Sequence, residues 1–246
     1  VIPALGQSSS AGAQGSNKLN MPLTLLTGKI GRQTNILGGE LKSEYITASA
    51  YRSAQGGITW TRYNQYNWYK VERAETDRYW AGEAAAETRL AQMSAAGLEP
   101  IMVVHGTPGW AQAVQGAYCG PIAPQHLDAY GNFLFDLVTR FSAPPYNVKY
   151  YEIYNEPDVD PDLVEDYSPF GCWGDESDTE YYGGDEFGEM LRAVYPRIKQ
   201  ANPEAQVLIG GLLLECDYTH TYTPARNCAP SKFLKGLLTT GADSFD

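Results

Sequence analysis

The sequence predicts an α/β fold of the (β/α)8 TIM-barrel class, and three observations carry that reading. Strand-like and helix-like segments alternate at intervals of roughly 40 to 55 residues, which calls for a parallel sheet with helices outside it. The strand candidates include continuous apolar runs such as Ile101-Met102-Val103-Val104, expected where both faces of a parallel sheet are covered. The richest polar loops all follow strands, the end at which a barrel builds its active site. A doubly wound open sheet also satisfies the alternation. It is disfavoured because no Gly-rich turn of the nucleotide-binding kind follows a first strand.

Residues Val1 to Pro22 are rich in Ser, Gly, Ala and Gln, have little to bury, and read as a flexible leader or linker. The barrel domain is placed at residues 23–246. Its first strand falls either at Leu23-Thr24-Leu25-Leu26 or near Ile30. Tyr45 to Gln55 reads as a short helix ending at Gly56-Gly57, and Ile58 to Tyr63 as the second strand. A helix follows over Arg78 to Ala96, with Leu90 and Met93 at helical spacing and Gly97 as its stop. The Ile101 run is the third strand. Leu127, Tyr130, Leu134, Leu137, Val138 and Phe141 then mark one face of a helix that Pro144-Pro145 ends.

Val148 to Asn155 is the fourth strand. Phe187, Met190, Leu191, Val194, Tyr195 and Ile198 mark the next helix, stopped by Asn202-Pro203, and Val207 to Gly210 the fifth strand. A helix over Ser231 to Thr240 follows, and Ser244-Phe245 opens a sixth strand. The chain thus holds the first five to six β/α units of a barrel that needs eight strands to close. Either the polypeptide was cut, or a second chain or fragment completes the barrel. The first residue is Val, with no basic-then-apolar leader before it, which reads as a processed or excised product.

Net charge is −11 with only 18 Lys and Arg, so a phosphate backbone is repelled and nucleic acid is not an expected partner. No run of about 18 apolar residues exists to span a membrane. The 12% aromatic content, with 18 Tyr and 5 Trp, suits sugar binding, although many of these rings belong to the core. All four cysteines fall in segments read as loops, whereas free cysteine prefers burial. They read as two disulfides formed in an oxidising compartment, hence a secreted protein. Three pairings are possible. Cys119–Cys172 with Cys216–Cys228 is favoured, because the second pair closes one short loop. A zinc site lacks any C-x-x-C or clustered His to support it, so no metal and no cofactor is expected. The acidic segment Asp158 to Glu186 lacks the regular spacing of a calcium loop and reads as solvated.

The sharpest chemical signal is Val148-Lys149-Tyr150-Tyr151-Glu152-Ile153-Tyr154-Asn155-Glu156-Pro157-Asp158. A carboxylate at the C-terminal end of a barrel strand is placed for catalysis, and Pro157 ends the strand there. Cleaving a glycosidic bond needs one carboxylic acid to protonate the leaving oxygen and a second carboxylate to attack the anomeric carbon. Glu156 suits the first role. Glu152, in mid-strand, is expected to pair with a base such as Arg62, because a lone buried charge is costly.

This stretch resembles the fourth-strand motif of glycoside hydrolase clan A, and the chain is especially similar to family 39-like and family 5-like retaining β-glycosidases. The resemblance implies that Glu156 is the acid/base and that Asn155 binds a sugar hydroxyl. Gly57-Ile58-Thr59-Trp60-Thr61-Arg62 resembles the clan's second strand, whose Arg lies beside the nucleophile; that implies a site role for Arg62. Pro100 to Trp110 resembles the third strand and its loop, which implies that His105 and Trp110 line the sugar site. The clan's nucleophile is a Glu at the end of the seventh strand, expected beyond residue 246. Glu215 is the only nearby stand-in and follows the wrong strand. The expected activity is hydrolysis of a β-linked oligo- or polysaccharide with retention, though the 246 residues alone are expected to be inactive. The rival is a carbohydrate-binding barrel without catalysis, a surface or adhesion module. It keeps Asn155 and the aromatic loops but has no Glu on the seventh strand.

Overall fold

The computed structural model describes residues 38–40, 46–165, 167–216 and 222–246. The leader over residues 1–22 and both first-strand candidates lie outside the described residues. Five parallel strands form one sheet: β1 (Gly38–Glu40), β2 (Trp60–Asn67) and, beyond the small antiparallel hairpin β3 (Glu72–Ala74) and β4 (Asp77–Arg78), β5 (Glu99–His105), β6 (Tyr150–Ile153) and β7 (Gln206–Ile209). The helices are α1 (Ile46–Gln55), the single turn α2 (Trp68–Val71), α3 (Ala84–Ala95), α4 (Leu127–Phe141), α5 (Gly184–Ala201) and α6 (Ala229–Gly241).

The strand order is β1-β2-β5-β6-β7, so each strand lies beside the one before it in the sheet and the winding never reverses. A doubly wound sheet requires a reversal. The residues of successive strands stand in register, with Arg62 opposite Ile101, Ile101 opposite Tyr150, and Tyr150 opposite Gln206. Side chains alternate across the sheet. Met102, Val104, Tyr151, Ile153 and Val207 face the helices and share one core with Leu90, Met93, Phe133, Leu137, Phe187 and Leu191. The other face carries Trp60, Arg62, Ile101, Val103, Tyr150, Glu152 and Leu208. Here Trp60 and Tyr150 pack ring to ring at 4.4 Å.

Helix α5 shows why the pattern fixes the arrangement. Phe187, Met190, Leu191, Val194 and Ile198 recur at helical spacing and are fully buried between α4 and α6. Each such side chain contributes about 1.5–3 kcal/mol on burial.

Three expectations shift. The helix expected from Arg78 begins at Ala84, because Arg78 is held in the hairpin by Glu72 and by Asp136, and a 3-10 turn at Trp80–Glu83 follows. The second strand runs on to Asn67, with a register shift between Tyr63 and Tyr66. Ser244-Phe245 does not form a strand. Instead Asp246 reaches the outer edge of β7, donating its N–H to the Val207 carbonyl at 2.9 Å and accepting the Val207 N–H at 2.9 Å.

The cysteines pair as Cys119–Cys172 and Cys216–Cys228. The first pair ties the loop after β5 to the loop after β6, and the second closes the loop between β7 and α6. Among the described residues no helix is long and apolar enough to cross a membrane.

Candidate active site

The regular part of β6 stops at Ile153, and the chain then turns sharply. Tyr154 (φ +58°) and Glu156 (φ +51°) both adopt the left-handed conformation that non-glycine residues rarely take. Such geometry costs of order 1–3 kcal/mol per residue and persists only where the surroundings over-determine it. Here they do. The Tyr154 hydroxyl lies 2.7 Å from the Thr107 hydroxyl, which itself donates to the Gly120 carbonyl at 2.7 Å. The ring of Tyr154 meets Trp173 and Phe187 edge-on. Gly210, just past β7, lets the turn pass close by: a Cβ there would stand 2.5 Å from the Tyr154 carbonyl oxygen and 3.0 Å from the Glu156 nitrogen.

Glu156 is presented, half-buried, at the end of β6 on this turn. Asn155 sits beneath it and links it to the sheet. Its amide nitrogen donates to Glu156 Oε2 at 3.3 Å and to the Pro169 carbonyl at 3.0 Å, while its carbonyl oxygen accepts from Arg62 Nη2 at 2.5 Å. Arg62 also makes a two-pronged ion pair with Glu152, Nε to Oε2 at 2.8 Å and Nη2 to Oε1 at 2.6 Å. The expected Arg62–Glu152 pair is therefore present, and its geometry is the strong, planar kind. Arg62 lies five residues before the end of β2, inside the strand and not at its end as the sequence suggests. Its long side chain rises from the level of Ile101 to reach Asn155. Burial pushes the Glu156 carboxyl above the usual carboxylate range; Arg62 and the Asn155 amide pull it down, and Asp158 and Glu152 push it up again.

His105 closes β5 and is buried. It lines a cavity of about 260 Å³ together with Asn67, Tyr69, Tyr118, Tyr167 and Pro169. Pro169 is also the acceptor for Asn155, so this cavity adjoins the Glu156 turn. Trp110 is not brought there. Its indole packs edge-on against Trp68 and His126 and donates to the Glu72 carbonyl at 3.0 Å, which pins the hairpin under its own loop. Glu215 is exposed and accepts from the Tyr222 hydroxyl in a separate cavity after β7.

The acidic carboxylates after β6 work on backbone. Asp158 is fully buried and accepts the N–H groups of Leu213 and Leu214 at 2.7 and 2.9 Å, bolting the loop after β7 to the Glu156 turn. Asp160 accepts from Asp162 and Glu176, and Asp178 from Glu180, Tyr181 and Gly183. Tyr69, Tyr118 and Tyr167, which also line the His105 cavity, escape sequence reasoning. Tyr118 alone carries a local signal, its place next to the loop cysteine Cys119.

Among solved structures, the chain is similar to Fpglu1 from Fervidobacterium pennivoraus, with a TM-score of 0.55 and 12% identity over 82% of this chain and 48% of that one. It is also similar to a family 39 glycoside hydrolase from the gut symbiont Bacteroides cellulosilyticus WH2, with a TM-score of 0.49 and 18% identity over 71% of this chain and 31% of that one. The exo-β-1,4-mannosidase Op5Man5 from Opitutaceae bacterium strain TAV5 matches with a TM-score of 0.49 and 17% identity over 72% and 32%. The likeness is one of fold. The chain spans less than half the length of each of these proteins. No family model and no curated protein matches it.

Proposed function

We propose that the chain is the acid/base-bearing part of a retaining β-glycosidase. The domain from about residue 23 to 246 supplies the first five β/α units of a (β/α)8 barrel. The observation that carries the reading is the Arg62–Asn155–Glu156 chain of contacts at the end of β6, with the Glu156 carboxyl pushed up by burial. Sequential strand order, with the described helices packed on the Met102 and Tyr151 face of the sheet, supports a barrel interior, and a barrel places its chemistry at the C-terminal strand ends.

In this reading Glu156 protonates the glycosidic oxygen as the bond to it breaks. A second carboxylate, a Glu at the end of a later strand beyond residue 246 or on a completing chain, attacks the anomeric carbon. Glu156, now ionised, takes a proton from water as the water releases the sugar. Asn155 holds a sugar hydroxyl, and His105 lines the adjoining pocket. Arg62 keeps Asn155 oriented. A secreted protein acting on an oligo- or polysaccharide fits the two disulfides.

Proton NMR of the first product formed by the full-length protein tests the mechanism. Retention gives the β-anomer first, with mutarotation following. An α-anomer formed first means inversion, and then the two carboxyls stand about 6.5–9.5 Å apart rather than the 5–5.5 Å that retention requires.

A further inference from the structure

The acid/base chemistry makes no use of three tyrosines at the outer end of the His105 cavity. Tyr118 and Tyr167 stack with ring centroids 4.3 Å and planes 16° apart, and Tyr69 meets them edge-on at 5.2 and 5.8 Å. The three come from segments that follow three different strands, β2, β5 and β6. Each is held by its surroundings. Gly106 (φ +84°) leaves room for Tyr69, since a Cβ there would lie 2.7 Å from its ring. The Tyr118 carbonyl accepts the Thr107 N–H at 2.7 Å, and its neighbour Cys119 is bonded to Cys172, which closes the loop bearing Tyr167.

Tyr167 nonetheless remains 65% exposed. One side of its ring stacks on Tyr118 while much of the ring stays open to solvent, where a ligand can reach it. The cavity of about 260 Å³ opens on one side of these rings, and another of about 290 Å³, reaching Arg73 and Pro108, opens on the other. The charged residues lining the two are Lys70 and Arg73, both able to donate hydrogen bonds to hydroxyl groups.

We propose that Tyr69, Tyr118 and Tyr167 form a saccharide subsite one or more sugar units away from the bond that is cut. The substrate is then an oligo- or polysaccharide laid across the cradle, not a short glycoside. A pyranose presents a face of C–H bonds that a tyrosine ring covers well, and the cavity beside this platform is also lined by Pro169, whose carbonyl accepts from Asn155. The inference rests on the glycosidase reading above.

The test uses the full-length protein and β-1,4-linked glucose, xylose and mannose oligomers of two and six units, on whichever series is cleaved fastest. The quantity is the ratio of kcat/KM for the hexasaccharide to that for the disaccharide. It is expected to exceed one in the wild type, to fall roughly three- to ten-fold in Tyr167→Ala, and to be kept in Tyr167→Phe. A wild type that prefers the disaccharide, or a ratio that Tyr167→Ala leaves in place, overturns the subsite. Full hydrolysis by Glu156→Gln overturns the glycosidase reading instead, whichever way the ratio moves.

Discussion

Replacing Glu156 by Gln is expected to lower kcat/KM of the full-length protein for an alkyl β-glycoside by about 10²–10⁴-fold, the range that a positioned general acid contributes. Gln is the informative substitution because it keeps the shape and still meets the Asn155 amide, yet has no proton to give. The loss should depend on the leaving group. An alkoxide leaves badly without a proton, whereas the anion of an acidic phenol leaves unaided. The variant should therefore recover most of its bond-breaking rate on a nitrophenyl glycoside, and then stall at the second step, where water must be deprotonated. Since Glu156 is half-buried and bears none of the core, the thermal transition should not move. Equal losses on both kinds of substrate would indicate a displaced site, not a missing proton donor.

The second large effect is expected at a residue that touches no substrate. Gly210→Ala places a methyl group 2.5 Å from the Tyr154 carbonyl oxygen and 3.0 Å from the Glu156 nitrogen. Both are backbone atoms of a turn whose two left-handed residues are already strained, so the turn and not the methyl must yield. A misplacement of about 1 Å at a catalytic group costs on the order of 100-fold in rate, and kcat should fall by that factor. Gly211→Ala is the control, since a Cβ there meets nothing within 4 Å. Steady-state kinetics of the two variants, compared at matched thermal stability, separates the effect on the turn from ordinary destabilisation. Equal activities in both would mean that Gly210 plays no part in holding Glu156.

Much of this was legible in the sequence because it follows from local pattern. The Leu127–Phe141 and Phe187–Ile198 stripes declare helices by periodicity, the Ile101 run and the Val207 strand declare strands by short apolar runs, and the structure has all four. The Asn155-Glu156-Pro157 end of β6 and the Arg62–Glu152 pair were also readable, the pair because a buried carboxylate needs a base. What escaped depends on contacts between distant segments. The hairpin at Glu72–Arg78 carries little apolar periodicity and is pinned by Asp136 and by the Trp110 indole. That same contact holds Trp110 against the hairpin, outside the lining of the His105 cavity. Arg62 reads as a strand end, although β2 continues to Asn67, because the register shift after Tyr63 has no composition signal. The tyrosine cradle forms only when three loops meet. The unreversed strand order, which separates this sheet from a doubly wound one, is encoded by no local segment.

The central claim is that Glu156 is the group that gives up its proton, and the dependence of kcat/KM on pH tests it most directly. A general acid works only while protonated, so wild-type activity should fall as pH rises through the Glu156 pKa. That alkaline limb should lie above the ordinary carboxylate value of 4.5, because burial holds the carboxyl up. In Glu156→Gln the limb should vanish, leaving a low plateau toward high pH. An alkaline limb that survives unchanged in the variant would assign the proton to another residue and remove Glu156 from the reaction.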